Sequence, residues 1–127
     1  RRQLQICLRD RYIYVMPIVL TAADVVIGRA GSATCNEIAA AGTPCILIPS
    51  PNVTNNHQEK NARLLEAGGG AVVLLEKDCT PEKLYSLIRE LLADDARRAE
   101  MSRKLHAQMK LDATDRICAI VEELTRR

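Results

Sequence analysis

Three short apolar runs stand out along the chain: Val25-Val26-Ile27, Cys45-Ile46-Leu47-Ile48 and Ala71-Val72-Val73-Leu74-Leu75. They are apolar at nearly every position rather than at alternate ones, which is the pattern of strands covered on both faces. Between them lie two stretches with helical spacing, Ser32–Ala41 and His57–Ala67, followed by Gly42 and Gly68 as stop signals. Strand, helix, strand, helix, strand predicts an α/β fold: a Rossmann-like parallel sheet with right-handed crossovers and flanking helices. Upstream, Tyr12-Ile13-Tyr14-Val15-Met16 reads as a further strand, and Pro17 as the opening of a short helix that ends before Asp24. The last third reads as a helical C-terminal tail. Thr80 is an N-cap with Pro81 at the first helical position, and Leu84, Leu87, Ile88 and Leu91 form an apolar stripe. A second helix is expected over residues 96–109. A third, from about residue 112, carries Ile117, Ile120, Val121 and Leu124 on one side. All these stripes are expected to face a core.

The junction after the first run holds the first candidate chemistry. Gly28-Arg29-Ala30-Gly31-Ser32-Ala33-Thr34-Cys35-Asn36-Glu37 leads from a strand through a turn of small residues into a helix. Small side chains let a ligand approach the backbone, and the free N–H groups at a helix start attract an anion. Glu37 follows about one and a half turns later, counted at 3.6 residues per turn. A carboxylate beside a phosphate cradle suits ribose hydroxyls. The same segment also reads as a tight βα turn whose glycines serve packing alone.

Composition narrows the classes without choosing one. The 127 residues suit one domain with a real core. A formal charge of +2, with aromatic residues at 2%, argues against a nucleic-acid partner, because no basic run is interleaved with stacking rings. No apolar stretch approaches the roughly 18 residues of a membrane span. The five cysteines, Cys7, Cys35, Cys45, Cys79 and Cys118, form no CxxC pair and stand at no ligand spacing from His57 or His106. Buried reduced thiols in a cytoplasmic protein are therefore expected, with no metal site and no cofactor.

The second candidate segment begins where the run Cys45–Ile48 ends. Pro49-Ser50-Pro51-Asn52-Val53-Thr54-Asn55-Asn56 stiffens and polarises a loop, and His57 and Gln58 open the helix behind it. Ligands of open α/β sheets bind at the carboxyl ends of strands, so this loop and the Gly28–Ser32 turn should share one rim. His57 and Gln58 are candidate ligand contacts. Asn61 is expected to hold a loop or a helix contact, with a substrate contact as the alternative reading.

Taken together, Ala23-Asp24-Val25-Val26-Ile27, Arg29-Ala30-Gly31-Ser32, Glu37-Ile38-Ala39-Ala40, Gly42-Thr43-Pro44, Ile46-Leu47-Ile48-Pro49 and His57-Gln58-x-x-Asn61-Ala62 resemble the C-terminal half of the MurG family of GT-B glycosyltransferases. The resemblance runs from about Tyr12 to the C-terminus. It implies transfer of N-acetylglucosamine from UDP-N-acetylglucosamine to a lipid-linked muramoyl-pentapeptide in peptidoglycan synthesis. It implies that Glu37 holds the ribose hydroxyls and that Gly31, Ser32, Ala33 and Thr34 face the diphosphate. His57 and Gln58 fall where the family places side chains on the sugar hydroxyls. Arg29 matches a motif residue that either touches the ligand or forms a structural ion pair beside the turn.

The departures from the family pattern carry their own expectations. The family's glycine-rich loops and its proposed catalytic histidine are missing, so no catalytic residue is assigned. Residues 1–127 are expected to be a single partial donor-binding domain without the N-terminal acceptor domain, inactive by itself. The whole enzyme is expected at the inner face of the cell membrane. Alternative readings are a non-catalytic subunit of a split transferase and a glycolipid glycosyltransferase with another acceptor. Loss of a neighbouring strand predicts self-association, a swap of the N-terminal segment, or direct pairing of the Tyr12–Met16 and Val25–Ile27 strands, with residues 1–20 more involved than the helical tail.

Overall fold

The computed structural model describes residues 13–109 and 113–126. Three parallel strands, β1 (Val26–Gly28), β2 (Cys45–Leu47) and β3 (Ala71–Val73), form one sheet in the order β1-β2-β3. Register aligns their carboxyl ends, with Gly28 beside Leu47 and Leu47 beside Val73. The ladders extend one residue further, through Ile48 N–H to Gly28 C=O and Leu74 N–H to Leu47 C=O, both at 2.9 Å. Helices α2 (Ser32–Ala41) and α3 (His57–Ala67) make the two crossovers, as the apolar pattern predicts.

The tyrosine-rich segment departs from its expected strand. Ile13–Val15 lead through a turn into α1 (Met16–Ala22), while Tyr12 lies outside the described residues. Pro17 explains the difference. Its fixed φ and missing N–H suit a first helical turn, and Ile18 and Val19 both donate to the Val15 carbonyl to start that turn.

Side chains alternate across the sheet. Cys45 and Leu47 of β2 enter a core with Leu20, Cys35, Ile38, Ala39, Ala62, Leu65 and Leu105. Ile46 points the other way, to Leu74, Leu91 and Met101. The first layer is supplied by α1, α2 and α3. The second belongs to α4 (Pro81–Ala93), whose expected stripe Leu84, Leu87 and Ile88 packs there. Its cap is the expected one: Thr80 Oγ1 accepts from Lys83 N–H.

Helix α5 (Asp95–Gln108) closes the bottom of the sheet. Asp94 Oδ1 caps it by accepting from Arg97 N–H at 2.9 Å. It crosses the C-terminal ends of α2 and α3, and only glycine leaves room for it. Gly42 takes φ +67° under the His106 ring, and Gly69 takes φ +79° beside Lys104. A Cβ on Gly70 would stand 2.4 Å from a methyl of Leu105, which is fully buried. Thus α5 packs closely against the turns that lead into β2 and β3, at the amino ends of the strands.

Two expectations about the tail and the thiols need correction. The stripe Ile117, Ile120, Val121 and Leu124 on α6 (Ala113–Thr125) is exposed rather than core-facing. Helical periodicity reports that an apolar face exists, not what covers it. Cys118 on the same helix is exposed too, whereas Cys35 and Cys45 are buried and Cys79 is partly so. Burial pushes the Cys45 thiol up to about 12, so it behaves as a small protonated hydrophobe at neutral pH.

Burying a leucine side chain contributes on the order of 1.5–3 kcal/mol, and deleting one leaves a cavity as well. We predict that Leu105→Ala lowers unfolding free energy by about 2–5 kcal/mol, while Leu124→Ala changes it by about 0.5 kcal/mol or less. Urea denaturation of the two variants checks this. A large loss for Leu124→Ala would place that side chain in a core.

Candidate functional site

The site is built where β1 and β2 give way to helices. β1 ends at Gly28, and residues 29–31 turn into α2, with Gly31 as N-cap in an extended conformation (φ −65°, ψ 150°). No side chain caps this helix start. The first-turn N–H groups of Ser32, Ala33 and Thr34 therefore face outward beside exposed, small side chains. Cys35 N–H begins the internal ladder by donating to the Gly31 carbonyl at 2.9 Å. Glu37 is exposed on the following turn and makes no ion pair or side-chain hydrogen bond within the described residues.

The second loop, between β2 and α3, ends in a 3₁₀ turn at Thr54–Asn56. Asn55 (φ 55°) and Asn56 (φ 52°) both adopt the left-handed region. Asparagine tolerates it better than other side-chain-bearing residues, which explains the consecutive pair. Asn56 Nδ2 donates to Glu59 Oε2 at 2.7 Å, and His57 Nδ1 lies 2.8 Å from the Thr54 carbonyl.

Helix α3 joins the two loops. Gln58 Oε1 accepts from Ser50 N–H at 2.9 Å, fixing the start of its own loop. Asn61 Nδ2 donates to the carbonyl of Ala30 at 3.1 Å, reaching across to the turn in front of α2. Asn61 thus has the loop-holding geometry anticipated for it. Ala30 is fully buried, so its carbonyl depends on that bond.

Arg29 is engaged by the protein itself. Its Nη1 donates to Glu76 Oε2 at 2.6 Å and to the Ile48 carbonyl at 3.2 Å. One guanidinium therefore spans all three strand ends, because Glu76 lies in the 3₁₀ turn Glu76–Asp78 that follows β3. Glu76 could not be singled out from the sequence, since the contact joins residues 47 positions apart. The Asn55-Asn56 pair, by contrast, carried a readable left-handed signal.

Two concave surfaces flank this ion pair. One of about 560 Å³ is lined by Pro49, Pro51, Asn56, Glu59, Leu75, Glu76 and Lys77. The other, about 300 Å³, is lined by Gly28, Arg29, Ile48, Glu76 and Cys79. Residues Gly31, Ser32, Ala33, Thr34, Glu37, His57 and Gln58 line neither of the two. Among the described residues no group of three or more His, Cys, Asp or Glu side chains could hold a metal ion. The rim can receive an anion at the α2 start, pair hydroxyls with Glu37, and offer polar atoms from His57 and Gln58.

Residues 9–117 match the glycosyltransferase family 28 C-terminal domain. A UDP-N-acetylglucosamine–N-acetylmuramyl-(pentapeptide) pyrophosphoryl-undecaprenol N-acetylglucosamine transferase from Caldanaerobacter subterraneus subsp. tengcongensis is 47% identical over 114 residues, 90% of this chain and 31% of that protein. The transferase of the same name from Acetivibrio thermocellus is 44% identical over 115 residues, again 31% of its length. Among solved structures, Acinetobacter baumannii MurG superposes with a TM-score of 0.79 at 29% identity, over 88% of this chain and 32% of that one. A glycotransferase of kitacinnamycin gives 0.68 at 26% identity. The chain thus spans about a third of the length of the relatives it matches.

The hydrogen bonds rank the two loop contacts. Arg29 and Glu76 are each about half exposed, at 53% and 46%, so solvent screens their pair. We predict that Asn61→Ala costs about 1–3 kcal/mol by orphaning a buried carbonyl, while Arg29→Ala costs about 1 kcal/mol or less. Thermal and urea unfolding measure both. The reverse order would assign the tie between the loops to Arg29.

Proposed function

Because the chain belongs to the glycosyltransferase family 28 C-terminal domain family, we propose that it is the donor-binding part of an N-acetylglucosaminyltransferase acting on a lipid-linked muramoyl-pentapeptide. The observation that supports this most is the juxtaposition of two βα loops at one rim, tied together by Asn61 and Gln58. In this reading the diphosphate of UDP-N-acetylglucosamine sits on the N–H groups of Ser32, Ala33 and Thr34, where Gly31 lets it approach. The partial positive charge of the α2 start favours it there. Glu37 takes the ribose hydroxyls. It lacks a protein partner among the described residues, so binding sacrifices no existing ion pair.

Transfer breaks the bond between the anomeric carbon and the diphosphate while an acceptor hydroxyl attacks. The leaving diphosphate gathers negative charge, and donors already aimed at it lower the barrier without reorganising. The residues on this rim supply that half of the chemistry. Deprotonation of the acceptor hydroxyl needs a general base. We assign that base, and the acceptor-binding surface, to sequence beyond these 127 residues, which form a single partial domain.

Peripheral attachment at the cytoplasmic face of a membrane follows from the lipid-linked acceptor in the same reading; among the described residues no helix is long and apolar enough to cross a membrane. Self-association belongs to the proposal as well. β1 is an edge of the described sheet, and Ile27 on it is 44% exposed. Unpaired edges recruit further chains.

Calorimetric titration of the chain with UDP-N-acetylglucosamine tests the donor reading. Glu37→Ala should weaken binding at least about tenfold, the loss expected for one charge-assisted hydrogen bond. Glu59→Ala, whose carboxylate is occupied by Asn56, should change it less than about threefold. Equal effects would remove Glu37 from the site.

A further inference from the structure

We infer that Glu66 closes the β3 edge of the sheet against strand addition, which leaves β1 as the edge where a second copy of this chain joins. The second half rests on the self-association reading above; the closure of β3 stands without it.

The ladder bonds show which groups each edge presents. Backbone groups of successive strand residues turn alternately to one side and the other. Val26 N–H donates to the Pro44 carbonyl and Gly28 C=O accepts from Ile48 N–H, both at 2.9 Å, so these two residues of β1 face β2. Ile27 between them turns its N–H and C=O to the outer side. On β3, Leu74 N–H donates to the Leu47 carbonyl, so Val73 is a residue that turns outward. Ala71, the other outward residue of that strand, is buried. The outward donor within reach of another strand is therefore Ile27 N–H on β1 and Val73 N–H on β3.

Glu66 takes the second of these. Its Oε1 accepts from Val73 N–H at 3.2 Å. Its other oxygen is held by Arg63 Nη1 at 2.7 Å, one turn earlier on α3. The arginine aims the carboxylate, and the carboxylate fills the place where the carbonyl of an added strand would bind. A bond from N–H to carboxylate is stronger than the neutral one that would replace it. Charged side chains over an exposed ladder are a common guard against sheet growth. Among the described residues no side chain does the same for Ile27, whose own side chain is 44% exposed. A sheet with one open edge stops when two copies meet edge to edge, because that contact closes on a two-fold axis. A sheet with two open edges keeps growing.

Sedimentation velocity of the full chain, E66A and E66Q over a wide concentration range tests this, with amide hydrogen exchange at Val73 read on the same samples. The wild type should reach two copies and no further, and E66A should form larger species. In dilute E66A the Val73 amide should exchange at least about tenfold faster than in the wild type, the loss expected for one charge-assisted bond. It should regain protection as the species grow. E66Q loses the same charge but keeps an acceptor oxygen, and should keep the wild-type size and protection. E66A with the wild-type size distribution, or growth that leaves Val73 exchanging fast, overturns the inference. If circular dichroism shows that E66A does not fold, the other two chains decide: slow exchange at Val73 in dilute wild type and E66Q supports the closure, and fast exchange in the wild type overturns it. A wild type that stays monomeric removes the pairing at β1 alone; E66A should then stop at two copies, joined through β3, and an E66A that also stays monomeric overturns the closure as well.

Discussion

Everything at the rim depends on the amide of Asn61 reaching the carbonyl of Ala30. That carbonyl is buried at the exit of β1, immediately before the helix whose first N–H groups are left open. A buried carbonyl without a partner is costly, so the bond fixes both the turn and the distance of α3 from it. Gln58, one turn earlier on α3, fixes the other loop in the same way through Ser50 N–H. Two neutral hydrogen bonds from one helix face therefore set the separation of the α2 start and the loop in front of α3. Arg29 adds a screened tie over the three strand ends.

The two ends of the sheet carry opposite duties. At the amino ends, glycines at 42, 68, 69 and 70 admit α5 so closely that a single methyl would collide with it. Leu105 is locked in the core there, and the layer is rigid. At the carboxyl ends, the loops carry exposed small and polar residues, two asparagines in left-handed backbone and a carboxylate with no partner among the described residues. Polar groups left unsatisfied on a rigid support are what a ligand can occupy without reordering the protein.

Much of this arrangement was legible in the sequence. All-apolar strands, glycine stops and the Thr80-Pro81 start are local signals, and each produced the element expected of it. Resemblance over residues 24–62 pointed to the glycosyltransferase family whose C-terminal domain residues 9–117 then matched. The failures share one cause: they concern what an element packs against. The segment before Pro17 has strand-like side chains, yet its proline serves a helix start. The stripe on α6 is amphipathic, yet it faces solvent. The Arg29–Glu76 pair is settled by the stacking of three strand ends, which no spacing along the chain encodes. Which of the rim residues touch a ligand is likewise a property of the ligand-bound state.

Backbone amide NMR during titration with UDP-N-acetylglucosamine tests the central claim most directly. The account predicts the largest shifts at Ser32, Ala33, Thr34 and Glu37, with a second group at His57 and Gln58. Shifts that saturate while concentrating instead around Thr21, Asp24, Thr43 and Ser102, which line a cavity at the opposite end of the sheet, would contradict it.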